Sequence, residues 1–148
     1  MKLLNMTAHS ENLLACPDLR VLSVRQPWAW MIIHGGKDVE NRNRPTKLRG
    51  RVLIHASKGM TRMEYEDACD WVSFDARMGI SIPDYDALDR GGIIGSVEIV
   101  GCIRHPGQPF GRSPWFFGPY GYALANPQPI QFIPCRGALG FWRWNERS

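Results

Sequence analysis

Several familiar devices are missing from this chain. Its four cysteines, Cys16, Cys69, Cys102 and Cys135, stand far apart. None forms a C-x-x-C pair, so the spacing offers no zinc site and suggests no disulfide framework. No apolar run approaches the roughly 20 residues of a membrane-spanning helix. Leu3, Leu4, Leu13 and Leu14 are interrupted by Asn5, Thr7, His9, Ser10 and Glu11. The first 16 residues therefore lack the continuous apolar stretch of a signal peptide. With free thiols and no export signal, the expected compartment is the cytosol. There is no internal repeat, no low-complexity tract and no G-x-S-x-G nucleophile elbow.

What is present is one domain's worth of chain. Its 148 residues suffice to bury a core without staples. Hydrophobic residues make up 44% and charged residues 22%, the balance of a soluble globular protein. The 15 glycines and 11 prolines exceed their usual shares. Many turns follow, and with them a β-rich architecture rather than a helical bundle. The net charge of +4 favours anionic partners. Its distribution says more, because Arg42, Arg44, Lys47, Arg49 and Arg51 fall in one stretch while Glu64, Glu66, Asp67 and Asp70 gather downstream. The plain alternative is a solvated basic loop.

Val21–Arg25 reads as a strand, and Pro27 suits the first turn of a helix running from Trp28 to His34. That helix is apolar on most sides and should be buried; Gly35 and Gly36 stop it. Val39–Arg42 reads as an extended piece that turns Glu40 and Arg42 away from Val39. In the strand Arg51–Ser57, Val52, Ile54 and Ala56 share one face, and Arg51, Leu53, His55 and Ser57 the other. Thr61 and Glu64 form a capping box for a helix reaching about Phe74. Residues 75–90 are expected to be a mobile or insertion-tolerant loop. Gly92–Arg104 is a long strand, with Ile93, Val97 and Ile99 on one face and internal glycines marking bends. Two more strands are expected, Tyr120–Ala125 and Leu139–Trp144. The order predicts an α+β, mainly β domain with a curled, mainly antiparallel sheet.

Three stretches together resemble the ASCH domain, a branch of the PUA-like superfamily. They are Leu22-Ser23-Val24-Arg25-Gln26-Pro27-Trp28-Ala29, then Gly35 to Arg42, and the tail Gly118-Pro119-Tyr120-Gly121 with Arg136 to Trp142. The second contains G-x-K-x-x-E-x-R and is followed by His55-Ala56-Ser57-Lys58. The likeness runs from about residue 21 to 144, so residues 1–20 are read as a lead-in and 21–146 as the domain. The resemblance implies a small PUA-like β-barrel with two or three flanking helices. It also implies a cleft lined by Lys37, Glu40 and Arg42 that binds RNA or a nucleotide-like ligand. Some relatives hydrolyse acylated cytidine nucleosides and others cleave RNA. In the nucleoside hydrolases the signature lysine matches Lys37, whereas Glu40 stands where they carry a catalytic threonine, and their downstream glutamate has no match here.

The residues themselves suit such roles. Lys37 can meet phosphate as a point charge or, if desolvated, act as base or nucleophile. Glu40 can handle protons while Arg42 grips phosphate, or the two can form a bracing salt bridge. Arg25 and Gln26 stand at the end of the first strand, where they can read a base edge or pin the rim. His55, Ser57 and Lys58 end a strand, where ligand-facing polar groups gather at barrel mouths. Tyr120 belongs to an aromatic group, with Trp115, Phe116, Phe117 and Tyr122, on which bases can stack. The plainer reading places Trp28, Trp142 and Trp144 in the core. The expectation is an RNA- or nucleotide-binding domain needing no cofactor, metal or membrane. One alternative is a metal-independent ribonuclease or nucleoside amidohydrolase using Lys37 and Glu40. Another is a protein-interaction module anchored by Trp115–Phe117.

Overall fold

The computed structural model describes residues 6–74 and 79–146. In chain order the elements are α1 (Ala8–Leu14), β1 (Arg20–Val24), α2 (Trp28–His34), β2 (Val39–Arg42), β3 (Gly50–Ala56), α3 (Arg62–Ser73), β4 (Gly92–Ile103), β5 (Tyr120–Pro134) and β6 (Phe141–Arg143). Short 3-10 turns occupy Tyr85–Ala87 and Trp144–Glu146. The chain is therefore α+β and mainly β.

The strands join in one six-stranded sheet, ordered β2-β5-β4-β3-β1-β6. All pairings are antiparallel except β1 with β3. That parallel pair follows from chain path, because the connection between the two strands carries α2 and β2 rather than a tight turn. Register shifts along β4 and β5, and another at Ile54/His55, add twist and curl the sheet into a half-barrel. Its end strands β2 and β6 are not paired with each other. The curl nevertheless brings β2 close enough to β1 for Arg42 Nη2 to donate to Ser23 O at 2.6 Å.

The concave face holds the main core, where Ile32 and Ile33 of α2 meet Leu22, Val24, Val52 and Ile54. Helix α2 seats directly on β4 because Gly95 has no side chain. A Cβ there would stand 2.6 Å from Ile33 Cδ1 and 2.7 Å from Gln128 O. The same bulged region shifts the facing of β4. Ile93 packs in a second cluster with Leu53, Trp142 and Trp144, whereas Ile94 joins Val97 and Ile99 in the first. Simple alternation predicted Ile93 with Val97; the extra residue of a bulge inverts the phase. Trp142 and Trp144 are buried as expected, and Leu13 and Leu14 of α1 pack against their cluster.

Two strand boundaries also differ from the sequence reading. β5 continues through Asn126, Pro127 and Pro129 to Pro134, paired against the full length of β4. The prolines are tolerated because residues 126–129 lie at an exposed, register-shifted part of the strand. At the C-terminal end, β6 is only Phe141–Arg143, since Gly140 takes a left-handed φ of +66° and Leu139 is fully exposed before it.

The capping box at the start of α3 forms as expected. Thr61 Oγ1 accepts from Glu64 N at 3.1 Å, and Glu64 Oε2 accepts from Thr61 N at 2.7 Å. Of the expected loop, residues 75–78 lie outside the described residues. The remainder is anchored. Leu88 is buried, Tyr65 donates to Pro83 O, and Tyr85 donates to Met60 O. Alternating apolar residues at Ile80 and Ile82 dock on a third core cluster, which holds Val72, Met31 and Trp115.

Candidate functional site

The site begins at the end of α2. Gly36 adopts a φ of +74°, a left-handed turn that glycine takes without steric cost. Lys37 N then bonds back to Met31 O at 3.0 Å, and the lysine side chain is carried inward. Lys37 is only 5% exposed. Its Nζ donates to Val39 O, lies 3.5 Å from Glu40 Oε1 and 5.7 Å from the centre of the Trp115 ring. The alternation of β2 sends Glu40 and Arg42 to one side. Glu40 Oε2 accepts from Arg42 Nε at 3.1 Å and Nη2 at 2.8 Å. A buried carboxylate thus sits between two cations, leaving one net positive charge. Burial pushes the Lys37 ammonium below its ordinary value of 10.5, opposed by the nearby Glu40 carboxylate.

This cluster opens onto a cleft of about 630 Å³ between β1, the start of α2, β2 and the loop before β5. That volume lies within the range of small-ligand sites. Trp28, Trp115 and Phe117 give the cleft aromatic walls, and Ser23, Ser57 and Asn41 add neutral polar groups. Arg25 stands at the rim, its Nε and Nη2 donating to Glu64 at 3.0 and 2.7 Å. Glu64, the third-position partner in the α3 capping box, therefore also orients a cation of the cleft.

Glu64 carries a testable consequence. Hydrogen bonds from Arg25, and then from the Thr61 backbone, hold its carboxyl below the ordinary 4.5. A lowered carboxyl stabilises the fold above the unfolded value and loses that contribution as pH falls through the folded one. Glu64→Gln should therefore be less stable than wild type above pH 4.5, with the gap closing at lower pH. Urea unfolding across an acid series would measure it. Thr61→Ala should cost about 0.5–2 kcal/mol in the same assay, as loss of an N-cap does.

The cleft gathers most, but not all, of the residues expected from sequence. Arg25, Lys37, Glu40, Arg42 and Ser57 line it. Gln26 is buried and used internally: its Oε1 accepts from Trp30 N at 2.9 Å and its Nε2 donates to Asp89 O at 2.8 Å. Tyr120 is half-buried beside Arg104, whose guanidinium is 5.6 Å from its ring, and it does not line the cleft. His55 and Lys58 line a neighbouring cavity, which shares Ser57 with the cleft. His55 Nε2 lies 2.9 Å from Cys135 O, and a carbonyl only accepts, so that nitrogen carries the proton.

The basic stretch divides. Arg42 enters the cleft, while Arg44, Lys47 and Arg49 are exposed. Arg51 is spent on Ser96 Oγ, Glu98 and Asn126 O outside the cleft. The aromatic segment divides too. Trp115 is 4% exposed and packs in the core, whereas Phe117 is 66% exposed at the cleft. Of the Trp115–Phe117 segment expected as a docking anchor, only Trp115 is buried, while Phe116 is half-buried and Phe117 stays exposed. Trp28, expected as core, is half-buried and forms part of the cleft wall.

Sequence reasoning missed Ser23 and Asn41. Asn41 holds the aromatic loop in place: its Nδ2 donates to Trp115 O at 2.9 Å, and its Oδ1 accepts from Phe117 N and Gly118 N. An asparagine inside a strand is disfavoured by propensity, and that was the available signal. Among the described residues no group of three or more His, Cys, Asp or Glu side chains is placed to hold a metal ion. No helix among them is long and apolar enough to cross a membrane.

Comparison with protein families matches the ASCH domain to residues 22–115. No curated protein matches the chain. Among solved structures, the chain is similar to a mutant ASCH protein from Zymomonas mobilis, at 18% identity and a TM-score of 0.47. That match covers 79% of this chain and 76% of the other.

Proposed function

The chain belongs to the ASCH domain family, and from that premise we propose that its cleft binds single-stranded RNA, or a nucleotide-like ligand, one unit at a time. The observation that carries this reading is the buried Lys37–Glu40–Arg42 cluster opening onto an aromatic-walled cleft. A base can stack against Trp28 or Phe117, each such contact being worth about 1–3 kcal/mol. Glu40 is the acceptor for an exocyclic amino group, and the rim cation Arg25 suits the attached phosphate. Asn41 keeps the aromatic wall in place before the ligand arrives, which spares the complex an ordering cost.

Phosphate contacts release counterions, so affinity for a labelled six-nucleotide RNA should fall linearly with salt on a log–log plot, by about 0.7 per neutralised phosphate. Fluorescence anisotropy across a salt series measures this. An affinity that ignores salt, or no binding at low salt, would overturn the reading.

A second reading, hydrolysis, draws support from the burial of Lys37. A lysine held below its ordinary pKa beside a carboxylate has the makings of a general base or nucleophile. Incubation with RNA and with an acylated cytidine nucleoside, followed by mass spectrometry, distinguishes the two. Shortened RNA or a released acyl group makes the cleft catalytic; unchanged substrates leave it a binding site.

A further inference from the structure

Beside the cleft lies a second cavity of about 660 Å³. The two share Ser23, Ser57 and Leu139, so they adjoin along one border. The cations of the second cavity are Lys58, Arg90 and Arg136, and among the described residues no acidic side chain lines it. Arg90 is fixed from behind: its guanidinium lies 5.3 Å from the Tyr85 ring, and its Nη1 donates to Lys58 O at 3.4 Å. Tyr85 is in turn held by Met60 O at 2.7 Å.

The wall of this cavity also contains a polar group that packing does not explain. His55 is 3% exposed, and its Nδ1 has no hydrogen-bond partner among the described residues. That nitrogen faces Gly137, where a Cβ would stand 2.7 Å away. Only glycine lets the backbone beside Arg136 lie so close to the imidazole. At the border, Leu139 is 98% exposed, an apolar side chain shared by the two cavities. Exposed leucines are common singly. One placed between a charged cavity and an aromatic cleft is suited to pack against a base that crosses from one to the other.

We propose that the second cavity seats the phosphate of the neighbouring nucleotide, so that the ligand is a strand of at least two units rather than a free mononucleotide. This rests on the cleft being a nucleotide site. Arg90 and Arg136 supply charged donors for the phosphate oxygens, and Lys58 adds a further positive charge.

The test compares two probes, a labelled six-nucleotide RNA and cytidine 5′-monophosphate, on wild type and on the Arg90→Gln/Arg136→Gln variant. Thermal melting would verify that the variant is folded. The variant should bind the RNA about 10- to 100-fold more weakly, the loss expected for a charged hydrogen bond. Its salt slope should be shallower by about 0.7 for each phosphate contact removed. Binding of the mononucleotide should be unchanged. Undiminished RNA binding by the variant would overturn the inference and leave the cleft reading intact. Equal loss for both probes would place the mononucleotide's own phosphate in the second cavity and likewise overturn the two-unit ligand. Failure of wild type to bind either probe would overturn both readings together.

Discussion

Replacing Lys37 with methionine should cost the protein its ligand while leaving its fold in place. Lys37 is a buried cation in a cluster whose remaining members, Glu40 and Arg42, already neutralise one another. Removing it takes away a desolvated charge, a change that is often neutral or stabilising when an apolar side chain of similar length fills the space. Against that gain stands the lost hydrogen bond to Val39 O. We therefore expect stability to change by no more than about 1 kcal/mol, within the range of a net hydrogen bond. RNA affinity should fall about 10- to 100-fold, the scale of one charged hydrogen bond. If the cleft is catalytic, turnover should vanish as well. Stability kept while affinity is lost is the pattern of a residue retained for function. A variant that unfolds, or that binds RNA as wild type does, would remove Lys37 from the site. pH offers an independent check. Because burial lowers the ammonium's pKa, RNA affinity should begin to fall on the alkaline side below lysine's ordinary 10.5, and the methionine variant should not show that limb.

Arg42→Ala should behave in the opposite way. Arg42 makes two contacts to Glu40 Oε2 and one to Ser23 O. Its removal leaves a buried carboxylate with Lys37 alone, at 3.5 Å, and unties β2 from β1. Breaking a fully buried ion pair costs about 3–5 kcal/mol. Arg42's side chain is 26% exposed, so water screens part of the loss and about 2–3 kcal/mol is expected. For a chain of this length that lowers Tm by about 5–10 °C. Arg42→Lys should recover little, because a single ammonium cannot span both Glu40 and Ser23 O as the guanidinium fork does. Calorimetry of the three proteins would decide it; a lysine variant as stable as wild type would show that charge alone suffices.

The contrast between these neighbours shows where sequence was informative. The signature string placed Lys37, Glu40 and Arg42 together, and the period of a strand put the latter two on one face. The capping box of Thr61 and Glu64 was equally legible, because both of its hydrogen bonds close within four residues. It was not legible that Glu64 also grips Arg25, or that Arg42 reaches Ser23 O. Those contacts join segments far apart in the chain, and no local period reports them.

The amino-acid order by itself determined the α+β class, the buried α2, and the faces of β2 and β3, while the charged trio of the cleft was implied by the family resemblance. The first three follow from hydrophobic period, glycine or proline chemistry, or a pattern spanning a few residues. Tertiary structure alone decided the rest. Bulges in β4 inverted its facing and curled the sheet, so that β2 met β1 across an unpaired seam. Pairing of β2 with β5 set the aromatic loop, held by Asn41, over Lys37. The antiparallel pairing of β4 with β5, which sets Gly92 opposite Pro134, brought Arg90 and Arg136, distant in sequence, to one cavity beside His55. A one-residue bulge changes which side every later side chain faces, and where the strand then leads depends on what it packs against rather than on the residues that form it.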